Sequence, residues 1–290
     1  MKKIIFLIPV YNDWESFIKL LEEINKNLRK IKNFTFDLIV VNDGSDSKCP
    51  KMKIPEFLNK IEILNMKINQ GHAICLAHGI NYALKNYEFD HLILMDADGE
   101  DRPIEILDLL ARATELKGNS IVAKRVKRSE GPIFKLFYIA HKILTLIFTG
   151  KMMNFGNFSI ITKEDADKIS KDPTLNSNYS GTLKNNIKNL GHINCERGKR
   201  YFGPSKMPLI KLIIHSFSII AVFKMNVFIR SALFIVLLTY LNSFIGILAP
   251  ILQILIVVFN IIIYLISSKS FKLSLEEIEK GQESNEVITH

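Results

Sequence analysis

The chain has 290 residues, of which 48% are hydrophobic and 23% charged, and its formal net charge is +9. This apolar content excludes a disordered or low-complexity protein. The positive charge indicates an acidic partner, which could be nucleic acid, anionic lipid or a phosphorylated substrate. Three scattered cysteines exclude a disulfide framework and a zinc knuckle, which favours a reducing compartment.

Up to about residue 125 the chain alternates between short apolar runs and segments with helical spacing. The apolar runs predict strands at 3–10, 36–41, 61–66, 91–95 and 119–123. The helical spacing predicts helices at 14–28, 72–84 and 103–116, the last with a proline in its first turn. Strands separated by helices of this length predict an α/β fold with a mostly parallel sheet covered on both faces.

Polar clusters follow four of the predicted strands, at the point where each strand ends. They are Tyr11-Asn12-Asp13, Asp43-Gly44-Ser45, Asn69-Gln70-Gly71 and Asp96-Ala97-Asp98. In open parallel sheets, ligands bind outside the carboxyl ends of the strands. The four clusters therefore predict one binding site along a single rim of the sheet.

The acidic cluster after the fourth strand indicates a metal. Asp96 and Asp98 share one face if the strand continues through them, and Glu100 and Asp101 follow at once. Hard oxygen ligands suit Mg²⁺ or Mn²⁺. A calcium-binding EF-hand is excluded, because Asp101 and Leu107 stand where its loop needs Gly and Glu. The alternative is a solvated acidic turn in which Asp101 caps the helix that begins near Pro103.

The common sequence motifs of dinucleotide-binding proteins, P-loop proteins and hydrolases do not occur in the sequence. The first strand is not followed by G-x-G-x-x-G, and neither a Walker A motif nor G-x-S-x-G occurs. The histidines form no H-E-x-x-H pair, so zinc hydrolysis has no support.

The order PVYND, VNDGS, NQGH, MDADGED resembles that of the family-2 glycosyltransferases, which have a GT-A fold. The resemblance is strongest to the branch of dolichyl-phosphate mannosyltransferases and polyprenyl-phosphate glycosyltransferases, and it covers roughly residues 1–225. Enzymes of this branch sit in membranes and move a sugar from a nucleotide to a polyprenyl phosphate. Processive relatives carry Q-x-x-R-W, but the single tryptophan here is Trp14, which favours one sugar per event.

The resemblance implies a role for each matching residue. By this resemblance, Asp43 is expected to read the base, Asp96 and Asp98 to hold Mg²⁺ or Mn²⁺ against the diphosphate, and Glu100 to lie near the metal. The implied donor-binding residues are Pro9, Tyr11, Asp13, Asp43, Gly44, Ser45, Asn69, Gly71, Asp96 and Arg125. The implied catalytic residues are Asp98, Glu100, Asn157, Arg197 and Arg200. Most relatives have Glu at the position of Asp13, and many have Gln at that of Glu100.

A basic segment, Arg197 to Lys206, matches a basic Gly-x-Ser-Lys segment of the branch. Arginine there would hold donor and acceptor phosphates in bidentate fashion. The implied acceptor-phosphate residues are Arg128, Arg200, Ser205 and Lys206. The alternative is a basic surface loop attracted to anionic lipid.

One position departs from the branch, since Asn157 stands where relatives carry Asp. Asparagine cannot act as a general base, which a sugar hydroxyl requires. A phosphate acceptor is already an anion near neutral pH, because its second pKa is about 6. Asn157 therefore favours a lipid-phosphate acceptor, unless Asp165, Glu164 or Glu100 takes over as the base.

The last third of the chain predicts a membrane anchor. Residues 231–268 form a run without a charged side chain, and this run is long enough for two membrane spans. The spans are predicted at 228–247 and 250–267. The alternative is a buried hydrophobic hairpin of a soluble core. Basic residues flank both ends, which places the catalytic domain and both termini in the cytoplasm.

The predicted organisation has four parts. A catalytic domain covers 1–206, with an interfacial helix at 131–150, and a juxtamembrane amphipathic helix covers 207–226. Two transmembrane helices occupy 227–268, and a loosely ordered polar tail covers 269–290.

The sequence therefore predicts a metal-dependent, inverting glycosyltransferase of the inner membrane. Its expected partners are a nucleotide sugar, a polyprenyl phosphate and anionic lipid, with a homo-oligomer possible and nucleic acid excluded. One alternative transfers the sugar to a hydroxyl of a lipid-linked glycan or polysaccharide precursor. The other is a non-catalytic membrane scaffold that keeps the fold.

Overall fold

The computed structural model describes residues 1–127, 132–203, 209–270 and 275–289. The chain divides into two compact units. The first unit comprises Met1–Ser129, Asn154–Lys206 and Leu273–His290, and the second comprises Glu130–Met153 and Met207–Lys272.

The strands of the described residues form one mixed sheet in the first unit, in the order β7-β5-β6-β4-β1-β2-β3-β8. Their bounds are β1 Lys2–Val10, β2 Phe34–Asn42, β3 Leu58–Met66, β4 His91–Leu94, β5 Ile121–Lys127, β6 Phe155–Thr162, β7 Gly191–Glu196 and β8 Gln282–Thr289. Strands β4, β1, β2 and β3 run parallel, whereas β6 and β8 are antiparallel to their neighbours.

The helices are α1 Trp14–Leu28, α2 His72–Asn86, α3 Ile106–Glu115, α4 Pro132–Thr149, α5 Lys163–Ser170, α6 Tyr179–Asn186, α7 Leu209–Val222, α8 Lys224–Ile245, α9 Leu248–Ser270 and α10 Leu275–Lys280. Helices α1 and α3 cover one face of the sheet, and α2, α5 and α6 cover the other. Helix α1 shows why, since Phe17, Leu20, Leu21, Ile24 and Leu28 recur at helical spacing and are all buried.

The predicted α/β fold and its element types are confirmed, with small shifts at the ends. Strand β3 begins three residues earlier than predicted, because Leu58 pairs with Phe36. The predicted helix at 103–116 opens with a 3-10 turn at Pro103–Glu105, and α3 follows it.

In the second unit, α8 and α9 are the helices that are long and apolar enough to cross a membrane, as far as the described residues go. Less than an eighth of either apolar segment is buried inside the structure, which argues against the soluble-core alternative. They form a hairpin, in which Gln253 Nε2 on α9 donates to Thr239 Oγ1 on α8 at 2.8 Å. Gly246, with φ +55°, ends α8.

Helix α4 belongs to this second unit, although its residues were predicted within the catalytic domain. Its last carbonyl groups accept hydrogen bonds from α8, where Asn226 Nδ2 donates to Thr149 O at 3.0 Å and Arg230 Nη1 to Ile147 O at 3.1 Å. Donors from α8 thus satisfy carbonyls that a helix end leaves unpaired.

The prediction of a loosely ordered tail is wrong. After the apolar hairpin the chain returns to the first unit, where α10 buries Ile278 completely and β8 pairs with β3 from Lys60↔Thr289 to Met66↔Gln282. The polar residues of β8 mislead sequence reasoning, because an edge strand needs main-chain pairing more than apolar side chains.

Candidate active site

The loops after β1 and β2 are tied to each other by hydrogen bonds. Asp43 N donates to Val10 O at 2.8 Å, and Asn12 N donates to Ser45 Oγ at 2.9 Å. Asn12 adopts a left-handed φ of +50°, a conformation that asparagine tolerates better than most residues. Pro9 is the penultimate residue of β1, opposite Val41 of β2, and Tyr11 beside this turn is 42% exposed.

Asp43 joins the β2 turn to the loop between β3 and α2. Its carboxylate accepts from Gln70 N at 2.7 Å, Gly71 N at 3.0 Å and Asn69 Nδ2 at 3.0 Å. The helix N-cap residue, Gly71, has no side chain, and its own N–H is one of the groups that donate to Asp43. Burial raises the pKa of Asp43, and the main-chain donors oppose that rise.

Gly44 lets the two loops approach closely. Its φ is +66°, and a Cβ there would lie 2.5 Å from the main-chain carbon of Ile68. The structure therefore brings the predicted donor-binding residues Asp43, Gly44, Ser45, Asn69 and Gly71 together.

The acidic loop, residues 96–101, follows β4 after Met95, and its last residue, Asp101, stabilises it by side-chain hydrogen bonds. Asp101 Oδ2 accepts from Asp96 N at 3.0 Å, and its Oδ1 accepts from Arg125 Nη2 at 3.1 Å. The Asp101 side chain is 2% exposed. The predicted alternative of Asp101 as a helix cap is wrong, because Arg102 occupies the cap position and no side chain bonds there.

Asp98 and Asp13 share the guanidinium of Arg200. Arg200 Nη1 lies 2.5 Å from Asp98 Oδ2, and Arg200 Nη2 lies 2.8 Å from Asp13 Oδ2. All three side chains are less than one fifth exposed. Burial and the neighbouring Asp96 carboxylate raise the pKa of Asp98 to about 6.

Residues 197–201, which we call the basic strap, lie directly on the acidic loop. Arg197 binds Glu100 through Nε at 2.9 Å and through Nη2, and Tyr201 N donates to Asp98 O at 3.0 Å. Gly99, with φ +85°, sits under Tyr201, since a Cβ there would lie 2.5 Å from the ring. The strap therefore fits only a glycine at this position of the loop.

Asn157 on β6 reaches the same rim. Its Nδ2 lies 3.4 Å from Asp96 Oδ1 and 2.8 Å from His72 Nε2, and His72 Nε2 lies 3.3 Å from Asp96 Oδ1. Burial lowers the pKa of His72, which favours the neutral imidazole. Sequence reasoning quoted the NQGH segment but assigned no role to His72, although its place directly after Gly71 was a usable signal.

Of the three residues expected as alternative bases for Asn157, Glu164 and Asp165 lie away from the rim, whereas Glu100 lies in the acidic loop. Strand β6 is antiparallel to β4, with Thr162 opposite His91, so Glu164 and Asp165 follow the end of β6 that lies beside the start of β4. Asp165 accepts a hydrogen bond from Ser120 Oγ at 2.5 Å there. Glu100 is paired with Arg197.

The site can be tested for its fit to a divalent metal. Among the described residues, no three His, Cys, Asp or Glu side chains gather as a metal-binding group. Mg²⁺, however, commonly uses one or two carboxylates and completes its shell with substrate phosphates and water. The Asp96 and Asp98 side chains are 29% and 15% exposed, and desolvation and nearby acidic groups raise their pKa values, so an added cation would relieve the repulsion.

Arg200 also fits a phosphate ligand. Its Nε is buried and has no hydrogen-bond acceptor within the described part of the chain. A buried donor without a partner is costly, and a diphosphate oxygen would satisfy it. Of the predicted acceptor-phosphate residues, Arg128, Ser205 and Lys206 lie outside the described residues.

The sequence matches the family model described as Glycosyl transferase family 2 over residues 5–170. An uncharacterized glycosyltransferase of Synechocystis sp. is 29% identical over 175 residues, which cover 58% of this chain and 52% of the relative. An undecaprenyl-phosphate 4-deoxy-4-formamido-L-arabinose transferase of Proteus mirabilis is 28% identical over 225 residues, covering 73% of this chain and 65% of the relative. The match thus spans between half and two thirds of these curated relatives.

The fold resembles that of glucosyl-3-phosphoglycerate synthase from Mycobacterium tuberculosis, whose crystal structure holds Mn²⁺, UDP-glucose and phosphoglyceric acid. The TM-score is 0.53 at 15% identity, and the likeness covers 78% of this chain and 80% of that chain. The GT-A fold expected from the sequence is confirmed by this likeness and by the observed sheet order.

Proposed function

The chain belongs to glycosyl transferase family 2, and from this premise we propose that it transfers one sugar from a nucleotide-sugar donor to a polyprenyl phosphate. The observation that carries the proposal is that Arg200 binds both Asp13, which follows β1, and Asp98, which follows β4 beside Asp96. Paired carboxylates for a cation beside a buried arginine suit a diphosphate leaving group. The relative from Proteus mirabilis, named for undecaprenyl phosphate, supports the acceptor class.

In this proposal the donor lies across the rim, with its base against the turn of Asp43 and its diphosphate against the acidic loop. Asp96 and Asp98 would hold Mg²⁺ or Mn²⁺, and the cation would neutralise charge on the leaving diphosphate. Arg200 turns its free Nε–H toward a diphosphate oxygen, and Tyr11 and Pro9 border the nucleotide. Glu100 keeps Arg197 in place beside the phosphates through their ion pair.

The acceptor phosphate attacks the anomeric carbon in a single displacement, which inverts the configuration. Its oxygen is already anionic near pH 7, so the reaction needs no base at Asn157. The Asn157 amide, held near Asp96 and His72, would donate to an oxygen of the reacting groups. Arg197 and Arg200 would bind phosphate, together with Arg128, Ser205 and Lys206.

A second candidate is transfer to a sugar hydroxyl, and His72 is the observation that favours it. A neutral imidazole near Asn157 is able to accept a proton from a hydroxyl, which the amide cannot do. A His72→Gln variant separates the candidates, because it would abolish transfer to a hydroxyl and leave transfer to a phosphate largely intact.

We also propose that the protein is anchored in the inner membrane with its catalytic unit and both termini in the cytoplasm. Lys224 and Arg230 flank one end of the α8–α9 hairpin, which is consistent with the positive-inside rule. Helices α4 and α7 would lie in the interface beside anionic lipid, since Ile139, Ile143 and Ile210 are at least half exposed.

The deciding experiment uses membranes that contain the protein, Mn²⁺ or Mg²⁺, radiolabelled UDP- and GDP-sugars, and undecaprenyl phosphate. The proposal expects label from one donor to enter the organic phase only with metal, and expects Asp98→Ala to abolish it. Donor hydrolysis that depends on Asp98, without label in the lipid, would point to a hydroxyl acceptor. Equal label with Asp98→Ala would overturn the proposed site.

A further inference from the structure

A chain of hydrogen bonds runs from the C-terminal strand to the turn that carries Asp43. Asn65 Nδ2 on β3 donates to Ser284 Oγ on β8 at 3.2 Å. Asn65 Oδ1 accepts from Asn42 Nδ2 on β2 at 2.8 Å, and Asn42 Oδ1 accepts from Ser45 N at 3.1 Å. Three strands thus connect Ser284 with the turn after β2.

A second connection starts at the turn between α10 and β8. Lys67 N donates to Gly281 O at 2.8 Å, and the Lys67 ammonium donates to Lys280 O at 2.8 Å. A Cβ on Gly281 would lie 2.3 Å from Gln70 Nε2, so the turn packs directly on the Gln70 side chain. Gln70 N is in turn a donor to Asp43.

The C-terminal segment is itself held firmly. Ile278 on α10 is fully buried in the core beneath α2, and Gln282 Oε1 lies 2.9 Å from Nε2 of the buried His78. Most side chains of β8 are exposed, so the strand adds little to the hydrophobic core. Two of the contacts of the C-terminal segment, at Gly281 and Ser284, lead to the two loops that meet at Asp43.

We propose that the segment 275–289 is a structural part of the donor site. Gly281 and Ser284 of this segment, together with Asn65 of β3, are positioning residues for the two loops that hold Asp43. The inference rests on the proposed function for the identity of the ligand, a nucleotide. It adds a dependence of nucleotide binding on residues that lie beyond the family match at 5–170.

Two variants remove the two connections separately. Asn65→Asp keeps the oxygen that accepts from Asn42 but loses the amide that donates to Ser284, and it places a carboxylate near Glu286, which lies 3.4 Å from Asn65 Nδ2. Gly281→Ala forces the Gln70 side chain to move. The matched control is Val287→Thr, since Val287 is 52% exposed on the same strand and takes no part in either connection.

The first measurement is hydrogen–deuterium exchange on the full-length protein in detergent, without ligand. Both variants are expected to exchange about fivefold faster or more at residues 43–46 and 69–72, the loss expected for one net hydrogen bond. The Val287→Thr control is expected to match the wild type. Unchanged exchange in these loops would overturn the proposal even if no donor is ever found.

The second measurement is binding of UDP and of GDP with Mn²⁺ by calorimetry, and donor KM and kcat where turnover is seen. The variants are expected to weaken nucleotide binding and raise donor KM by about five- to tenfold, with acceptor KM and kcat within about twofold. Faster exchange with unchanged nucleotide affinity would overturn the link to the donor site. A wild type that binds neither nucleotide would refute the proposed function, while the exchange result still decides the positioning.

Discussion

The site has two sides, the turn that carries Asp43 and the acidic loop 96–101, and their carboxylates are stabilised by different kinds of donor. On the Asp43 side, main-chain N–H groups of Gln70 and Gly71 and the Asn69 amide satisfy the carboxylate. On the acidic loop, the guanidinium groups of the basic strap do so. Main-chain donors are fixed by the fold, whereas an arginine can exchange a carboxylate for a phosphate.

The Asp43 side of the rim is therefore pre-organised, whereas the arginines on the acidic loop can exchange their partners. The Asp43 side is held by β2, β3 and β8, so the proposed binding of a base there would need no rearrangement. On the acidic loop, Arg200 bridges Asp13 and Asp98, and in the proposed function the metal and the diphosphate would replace those ion pairs. The variants below act on one half at a time.

The largest effect is expected for Asp98→Asn, which keeps the size of the side chain and removes its charge. Transfer should fall about a thousandfold in kcat, because stabilisation of the leaving diphosphate is lost. The measurement is initial-rate transfer into lipid with saturating donor. Asp167→Asn, which alters an exposed ion pair with Lys171, serves as the control and should be unaffected. Loss of less than tenfold in Asp98→Asn would contradict the assigned role.

Arg125→Met tests the support beneath the acidic loop. The buried Asp101 would lose its cation, which should cost about 3 kcal/mol of the free energy of unfolding. Urea unfolding in detergent, followed by fluorescence of the single tryptophan, Trp14, measures this. Arg112→Met breaks the exposed pair with Glu115 and should cost less than about 1 kcal/mol. Equal losses of unfolding free energy in the two variants would show that the buried Arg125–Asp101 pair stabilises the fold no more than an exposed pair does.

Asp43→Asn tests the pre-organised half. The new amide group would face main-chain N–H donors, so one hydrogen bond becomes a repulsive contact. Nucleotide binding should weaken about 30-fold, equivalent to about 2 kcal/mol, with Mn²⁺ affinity unchanged. Calorimetry with UDP and GDP measures the nucleotide affinity, and a Mn²⁺ titration measures the metal affinity. Asp46→Asn in the same turn is the control, and a parallel loss of Mn²⁺ affinity in Asp43→Asn would show that the two halves are not independent.

The smallest effect concerns pH on the acidic loop. With the pKa of Asp98 raised to about 6, the carboxylate is ionised above that pH and protonated below it. Because Mn²⁺ needs the ionised form, its affinity should fall about fivefold between pH 6 and pH 5 and change little above pH 7. Electron paramagnetic resonance of free Mn²⁺ measures this. Asp98→Asn should flatten the dependence, and a flat profile in the wild type would rule out Asp98 as the titrating ligand.

Local patterns in the sequence were enough to predict the parallel strands, the helices that cover them and the apolar hairpin. The period of apolar residues decides which side of an element is buried, and that information is contained within some ten to twenty neighbours. The convergence of Asp13, Asp43, Asn69 and Asp98 followed from one topological rule for parallel sheets. The family resemblance then supplied their roles.

Tertiary structure alone decided which groups are partners. Arg200 reaches Asp13 across 187 positions, and Asn65 reaches Ser284 across 219. His72 and Asn157 meet at Asp96 because β6 runs antiparallel beside β4. The tail was predicted as loosely ordered because its residues are polar, yet β8 closes the edge of the sheet through main-chain hydrogen bonds. Such pairings depend on where the chain returns, and no local period encodes that, because main-chain donors are the same in every residue except proline.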